Sequence, residues 1–237
     1  MKSHIRKQNN QWLIAPPELD ITAQWFSPQY WQAQDKVLGQ SHGRNVTWFV
    51  GEQQRPMVLR HYYRGGLIGK LINDCYLFTG LESTRAYREY VLLKELEQRN
   101  LPACRVVAAQ VIVSGLSYRA DLLMEMVQGG KDLVALLTQA PLAKEQWHSI
   151  GQMIATFHQQ CVYHADLNAH NILLDGNALP VLIDFDRGEI KDQRGQWCQD
   201  NLDRLLRSFN KEKAKLDTFH FSLNDWESLL VGYREVA

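Results

Sequence analysis

The spacing of hydrophobic positions divides the chain into a strand-patterned front and a helix-patterned back. Residues 1–35 carry Trp12, Trp25, Tyr30 and Trp31 among turn residues such as Pro16 and Pro17, a pattern that predicts an ordered leader packed by its aromatics. Short β-branched and aromatic runs follow at 37–38, 46–50 and 57–62, separated by turn residues, and predict strands. Residues 64–80 contain glycines and show no regular period. Over 84–100, apolar residues at Tyr87, Val91 and Leu96 predict a helix that Pro102 stops. Residues 106–113 and 121–127 predict strands joined through Ser114 and Gly115. Gly129 and Gly130 mark the boundary of the front half. Beyond them, 132–139 and 143–160 predict helices, a strand–turn–strand leads to Asp184, and the chain from Gln199 is helical.

This order predicts an α+β, two-lobed architecture. A strand-rich N-lobe with its aromatic leader spans 1–129 and a short helical C-lobe spans 130–237, with a nucleotide cleft expected between them. The 237 residues suffice for one such domain. With 45% apolar and 22% charged residues the chain can bury a core. Lys+Arg and Asp+Glu each number 26, so the zero net charge gives no reason to expect a nucleic-acid partner. Cys75, Cys104, Cys161 and Cys198 lie far apart, with no CxxC pair or zinc spacing, and are expected to be reduced cytosolic thiols. The polar start lacks the apolar core of a secretory signal, and no run reaches the ~18 apolar residues of a membrane span. A soluble or peripherally attached protein is expected.

The chemistry concentrates between His164 and Asp186. Asp166 precedes Asn171 by five residues, and an apolar strand delivers Asp184 thirteen residues after Asn171. Phosphoryl transfer needs this set: a carboxylate to accept a hydroxyl proton, and an amide and a carboxylate to hold Mg2+ under nucleotide phosphates. Asp166 is therefore the candidate base, and Asn171 and Asp184 are the candidate metal ligands. Turn and cap residues alone would not need this spacing and the strand together. His164 is expected to orient the loop backbone. His158, His164 and His170, spaced six apart, form no zinc box.

ATP would need further contacts. Glu89, mid-helix, is a candidate to position a cation on the α- and β-phosphates, the alternative being a solvated surface charge. Arg60, at the end of the 57–59 apolar run, stands where a kinase usually has Val-Ala-Ile-Lys; Lys70, after Gly69, is its rival. Gly69-Lys70 is not a Walker loop, because Arg64 and Leu71 occupy positions that need Gly and Ser/Thr. Gly39 to Gly43 is a weak candidate for a phosphate cover. Backbone groups around Glu125 and Met126 are candidates to bind adenine.

These segments resemble the lipopolysaccharide kinase family of the protein-kinase-like superfamily. The resemblance covers most of the chain and is carried by Val58 to Gly66, Arg85 to Tyr90, His164 to Asn168, Ile183 to Gly188 and Asn201 to Ser208. The Arg64-Gly65-Gly66 and Asn201 to Ser208 segments are the family-specific ones. The resemblance implies phosphate transfer from ATP to the 4-OH of a 3-deoxy-D-manno-octulosonic acid (Kdo) residue on a lipid A precursor. It also implies lipopolysaccharide inner-core synthesis at the cytoplasmic face of a Gram-negative inner membrane, with peripheral membrane contact. The alternatives are a small atypical protein kinase and a catalytically dead kinase-like scaffold.

The sequence departs from protein kinases in three ways. Asp186 replaces the Gly of Asp-Phe-Gly. Asn168 stands where protein kinases carry a Lys near the γ-phosphate, so another cation must stabilise that charge. Only 53 residues follow Asp184, with no Ala-Pro-Glu segment. Arg187, Lys191, Arg194, Arg204 and Arg207 are candidates to meet the acceptor's carboxylate or lipid phosphate, or else to pair with Glu189, Asp200 and Asp203. Lys211, Lys213 and Lys215 could add attraction to anionic headgroups. Leu67, Ile68, Leu71, Ile72, Tyr76, Leu77 and Phe78 are expected to pack under the front sheet, with a membrane interface as the alternative.

Overall fold

A computed structural model of the chain describes residues 4–42, 46–63 and 74–237. The chain divides into two compact units, Met1–Lys94 with Arg105–Met126, and Glu95–Cys104 with Val127–Ala237. The first is strand-rich and the second largely helical, which makes the architecture α+β, as the periodicity predicts.

In chain order the first unit contains β1 (His4–Gln8), β2 (Gln11–Ala15), α1 (Pro28–Gln32), β3 (Val37–His42), β4 (Val46–Glu52), β5 (Arg55–His61), β6 (Tyr76–Leu77), the start of α2 (Arg85–Gln98), β7 (Val106–Ser114) and β8 (Ser117–Glu125). Among the described residues, eight strands form one antiparallel sheet in the order β1-β2-β7-β8-β5-β4-β3, with β6 paired to β8.

The leader differs from expectation in part. Its aromatics do pack, with Trp25 and Tyr30 meeting the edges of Trp31 at 5.3 and 5.2 Å. Its first residues, however, form a hairpin that extends the sheet. Strand β2 buries Leu13, Ile14 and Ala15, and pairing with β7 supplies the hydrogen bonds a lone hairpin would lack.

Alternation along β5 sends Met57 and Leu59 to one sheet face, where they join Leu13, Phe26, Trp31, Val50 and Leu123 in a core under the leader. Arg60 and Tyr62 point to the other face, where α2 lies. The helix is present, but it is rotated from the predicted face. Ala86, Glu89, Tyr90, Leu93 and Leu96 are buried, whereas Val91 is exposed. Ala86, Tyr90, Leu93 and Leu96 keep the helical i, i+4, i+7, i+10 period, and Glu89 shares their face.

The second unit contains β9 (Lys131–Asp132), α3 (Leu133–Leu137), α4 (Lys144–Gln159), β10 (Val162–Tyr163), β11 (Ile172–Leu174), β12 (Pro180–Leu182), β13 (Glu189–Ile190), α5 (Gln196–Lys215) and α6 (Leu223–Val236). Asp132 caps α3 by accepting from the N–H groups of Val134 and Ala135, at 3.0 and 3.1 Å. Helices α4 and α6 cross through Gly151 and Gly232. A Cβ at Gly151 would lie 1.9 Å from the Leu229 carbonyl oxygen, and one at Gly232 would lie 2.1 Å from that of His148. Trp147, Phe209 and Phe221 fill the space beside this crossing. No helix of the described residues is long and apolar enough to cross a membrane.

Candidate active site

The loop between β10 and β11 carries Asp166 and Asn171, and its shape rests on a buried imidazole. His164 is 2% exposed. Its Nε2 donates to the Ile183 carbonyl at 3.0 Å, and its Nδ1 accepts from the Asp166 N–H at 3.2 Å. Burial lowers its pKa, which keeps the ring in the neutral Nε2–H form this pattern needs. Its role is the backbone-orienting one expected from the sequence, and it ties the Asp166 loop to the strand before Asp184.

Asn171 is buried, and its Nδ2 donates to the Asp166 carbonyl at 2.9 Å. That bond turns the amide so that Oδ1 remains as an oxygen donor. The Ile183 N–H donates to the Asn171 carbonyl at 2.9 Å, which sets Asp184 beside it. Asp184 has φ +60°. Aspartate tolerates this left-handed backbone better than most residues, and such strain is common at functional sites. Phe185 holds the position: it is fully buried, 4.8 Å from the His164 ring and 5.7 Å from Phe157. Among the described residues no cluster of three or more His, Cys, Asp or Glu forms a ready-made metal cage. One amide oxygen and one carboxylate suit Mg2+, which fills its remaining positions with phosphates and water.

The Asp166 carboxylate is 56% exposed. Its Oδ1 accepts from Arg204 Nη1 at 3.0 Å and its Oδ2 from Asn168 Nδ2 at 3.1 Å. Helix α5 grips the same loop at two further points. Asn201 Nδ2 donates to the His164 carbonyl at 3.0 Å, and Ser208 Oγ accepts from the Ala169 N–H at 2.8 Å.

In the first unit, the Glu89 side chain is fully buried and that of Arg60 is 18% exposed. Arg60 Nη2 and the Tyr62 hydroxyl both donate to Glu89 Oε2 at 2.5 Å. A buried carboxylate is tolerable only with such partners, so Glu89 is not a solvated surface charge. Burial, then the charge of Glu89, raises the Tyr62 pKa well above its ordinary 10, so the hydroxyl stays a donor.

The remaining expected residues are placed as follows. Lys70 lies outside the described residues, as do Gly43, Leu67, Ile68, Leu71 and Ile72. Gly39 lies in β3, paired with Phe49, rather than in a loop. The Glu125 and Met126 N–H groups already donate to the Arg105 and Pro56 carbonyls, at 2.8 and 2.9 Å, so a purine would take them only by displacing those bonds. Tyr76 and Phe78 pack against Tyr118, whereas Leu77 is 66% exposed. Lys191 pairs with Glu189 and Arg187 with its neighbour Asp186, while Asp200 and Asp203 accept from Gln196 and Gln199. A cavity of about 490 Å³ in the first unit is lined by Leu59, His61 and Asp121, on the sheet face opposite Arg60.

Sequence reasoning missed Tyr62, Asn201 and Ser208, and it placed Arg204 among acceptor-binding cations rather than on Asp166. The β5 alternation puts 60 and 62 on one face, and 201, 204 and 208 share one face of a helix, so both groupings were visible as spacing without a partner to complete them.

A buried carboxylate–guanidinium pair in a strand-rich unit, and an Asp–Asn–Asp loop system in a helical one, are each chemically suited to phosphoryl transfer of the kinase type. The model of the lipopolysaccharide kinase (Kdo/WaaP) family matches residues 28–233, and the chain belongs to that family. It is 49% identical over 209 residues to a 3-deoxy-D-manno-octulosonic acid kinase of Photobacterium profundum, covering 88% of this chain and 87% of the relative. It is 44% identical over 225 residues to the protein of the same name in Vibrio vulnificus (strain CMCP6), covering 95% and 92%. A Vibrio cholerae protein of that name is 47% identical over 194 residues, covering 81% and 82%.

Proposed function

We propose that this protein transfers the γ-phosphoryl group of ATP to the 4-OH of a Kdo residue on a lipid A precursor. The observation that carries the reading is the half-exposed Asp166 carboxylate on a loop whose backbone is held by His164, Asn171 and Asn201. The acceptor hydroxyl donates to Asp166, and its oxygen attacks the γ-phosphorus. The bond to the β-phosphate oxygen breaks, ADP departs, and the proton passes to Asp166. Arg60, held by Glu89, is the cation for the α- and β-phosphates, with Lys70 as its rival; Glu125 and Met126 are the adenine-side residues. Asn171 and Asp184 would hold Mg2+, which neutralises phosphate charge when bound. On this reading 1–129 and 130–237 are the two lobes of one kinase-like domain, working at the cytoplasmic face of an inner membrane.

A transfer assay with radiolabelled ATP tests this, comparing a Kdo-bearing lipid A precursor, free Kdo, aminoglycosides and a generic protein. Label in the lipid-linked Kdo, with one added phosphate by mass spectrometry, is the expected result. Label in the protein substrate alone would make the chain a small atypical protein kinase. Label in none would leave a kinase-like scaffold.

A further inference from the structure

Helix α5 meets the Asp166 loop through Asn201, Arg204 and Ser208, a spacing that places all three on one helix face. Asn201 and Ser208 bond backbone groups and fix the loop's shape. Arg204 bonds the Asp166 carboxylate itself, the group that must face the acceptor. Both partners are largely exposed, 46% and 56%, and an ion pair in that setting adds little to stability. The loop backbone is already held on either side of it. The guanidinium therefore needs a chemical reason to be there.

The transferred phosphoryl group supplies one, because it carries charge on three oxygens and needs a cation beside it. The position two residues beyond Asp166, a lysine in protein kinases, is Asn168. Its amide bonds the Asp166 carbonyl at 3.0 Å and the Asp166 carboxylate at 3.1 Å, and it brings no charge. Arg204 brings a full charge to the same carboxylate from a different element. A guanidinium has five N–H donors, and the bond to Asp166 uses one of them.

Resting on the kinase reading above, we propose that Arg204 is a catalytic residue. It holds Asp166 with one N–H, and with the others it stabilises the phosphoryl group in transfer, replacing the missing loop lysine.

Steady-state kinetics of the full chain with ATP and a Kdo-bearing lipid A precursor test this with Arg204→Gln, Arg204→Lys and the double variant Arg204→Gln with Asn168→Lys. In Arg204→Gln, kcat is expected to fall ~10²–10³-fold while both KM values stay within about threefold. Arg204→Lys should keep more of the rate because it keeps the charge. The double variant should regain at least about tenfold over Arg204→Gln, a rescue that a purely structural arginine would not permit. Thermal melts should coincide with wild type, because the pair is exposed. A kcat within about threefold of wild type overturns the proposal. So does a raised acceptor KM at unchanged kcat, which would place Arg204 on the acceptor's carboxylate. Absence of rescue also overturns it, leaving Arg204 to position Asp166 only. If wild type transfers nothing to the Kdo acceptor, the functional reading fails by itself. Arg204 is then judged on background ATP hydrolysis, where an unchanged rate in Arg204→Gln sinks the proposal.

Discussion

Glu89 shows how one residue's meaning depends on its neighbours. Alone in sequence it is a charge on a helix; beside Arg60 and Tyr62 it is a buried anion satisfied by a cation and a hydroxyl. Removing Arg60 would take its guanidinium away from that buried charge. Arg60→Ala is expected to lower the unfolding free energy by ~3 kcal/mol, and pairing it with Glu89→Leu should recover most of the loss, as read by urea denaturation. The same variant should raise the Michaelis constant for ATP more than Lys70→Ala does; the opposite order would move the phosphate-gripping role to Lys70. Asp166 differs, because its carboxylate is half exposed and Asn171 bonds its backbone carbonyl rather than its side chain. Asp166→Asn should therefore fold normally and bind ATP, yet lose ~10²–10⁴-fold in turnover. Turnover within threefold of wild type would remove it as the base.

At the scale of elements, the α4–α6 crossing is set by two glycines that let the helices touch backbone to backbone. Gly151→Ala puts a methyl against the Leu229 carbonyl, and the helices must part to admit it. The expected cost is ~1–3 kcal/mol or more, visible as a lower melting temperature; an unchanged melt would mean the crossing is looser than described. Helices α4, α5 and α6 also share His158, whose Nδ1 meets the Tyr233 hydroxyl at 2.8 Å and whose Nε2 faces Asn201 Oδ1 at 3.4 Å. Burial pushes this imidazole down from 6.5 to about 4. Because the folded value lies below the unfolded one, the contribution is present above pH 6.5 and is lost as pH falls toward 4. Between pH 7 and pH 5 the wild type should lose ~2 kcal/mol relative to His158→Gln. His61 and His170 act with the opposite sign. For His61, burial lowers the pKa, but Asp121 and then Asp74 outweigh it; for His170, the hydrogen bond to Asp132 raises it. The comparison with His158→Gln isolates the α4 histidine from both.

For the whole molecule, ligands give the decisive contrast. A kinase whose folded state binds Mg2+–ATP gains ~2.7 kcal/mol at a hundredfold excess over Kd, measurable as a thermal shift, whereas a scaffold without a nucleotide site shows none. Lipid-linked Kdo should react faster than free Kdo, because contacts remote from the hydroxyl help to orient it. That advantage should shrink with salt if exposed cations such as Arg207 and Lys211 contribute. Equal rates for the two acceptors at low and high salt would show that the lipid-borne anions are not recognised.

Local patterning determined a good deal about this protein. Turn residues and alternating apolar runs located β3, β4, β5, β7 and β8, helical patterning located α2, α3 and α4 and a helical end that the structure divides into α5 and α6, and a five-residue and a thirteen-residue spacing singled out Asp166, Asn171 and Asp184. Such features are legible because each depends on residues adjacent in the chain. Other features required partners distant in sequence. The leader hairpin became part of the sheet only by pairing with β7. The buried face of α2 also carries Glu89, whose burial rests on Arg60 and Tyr62, 29 and 27 residues earlier. The hold of α5 on the Asp166 loop spans 37 to 39 residues, and no local pattern says which helix face meets which loop. Periodicity names an element and its candidate faces; tertiary packing decides which face is covered, and therefore which charges have partners.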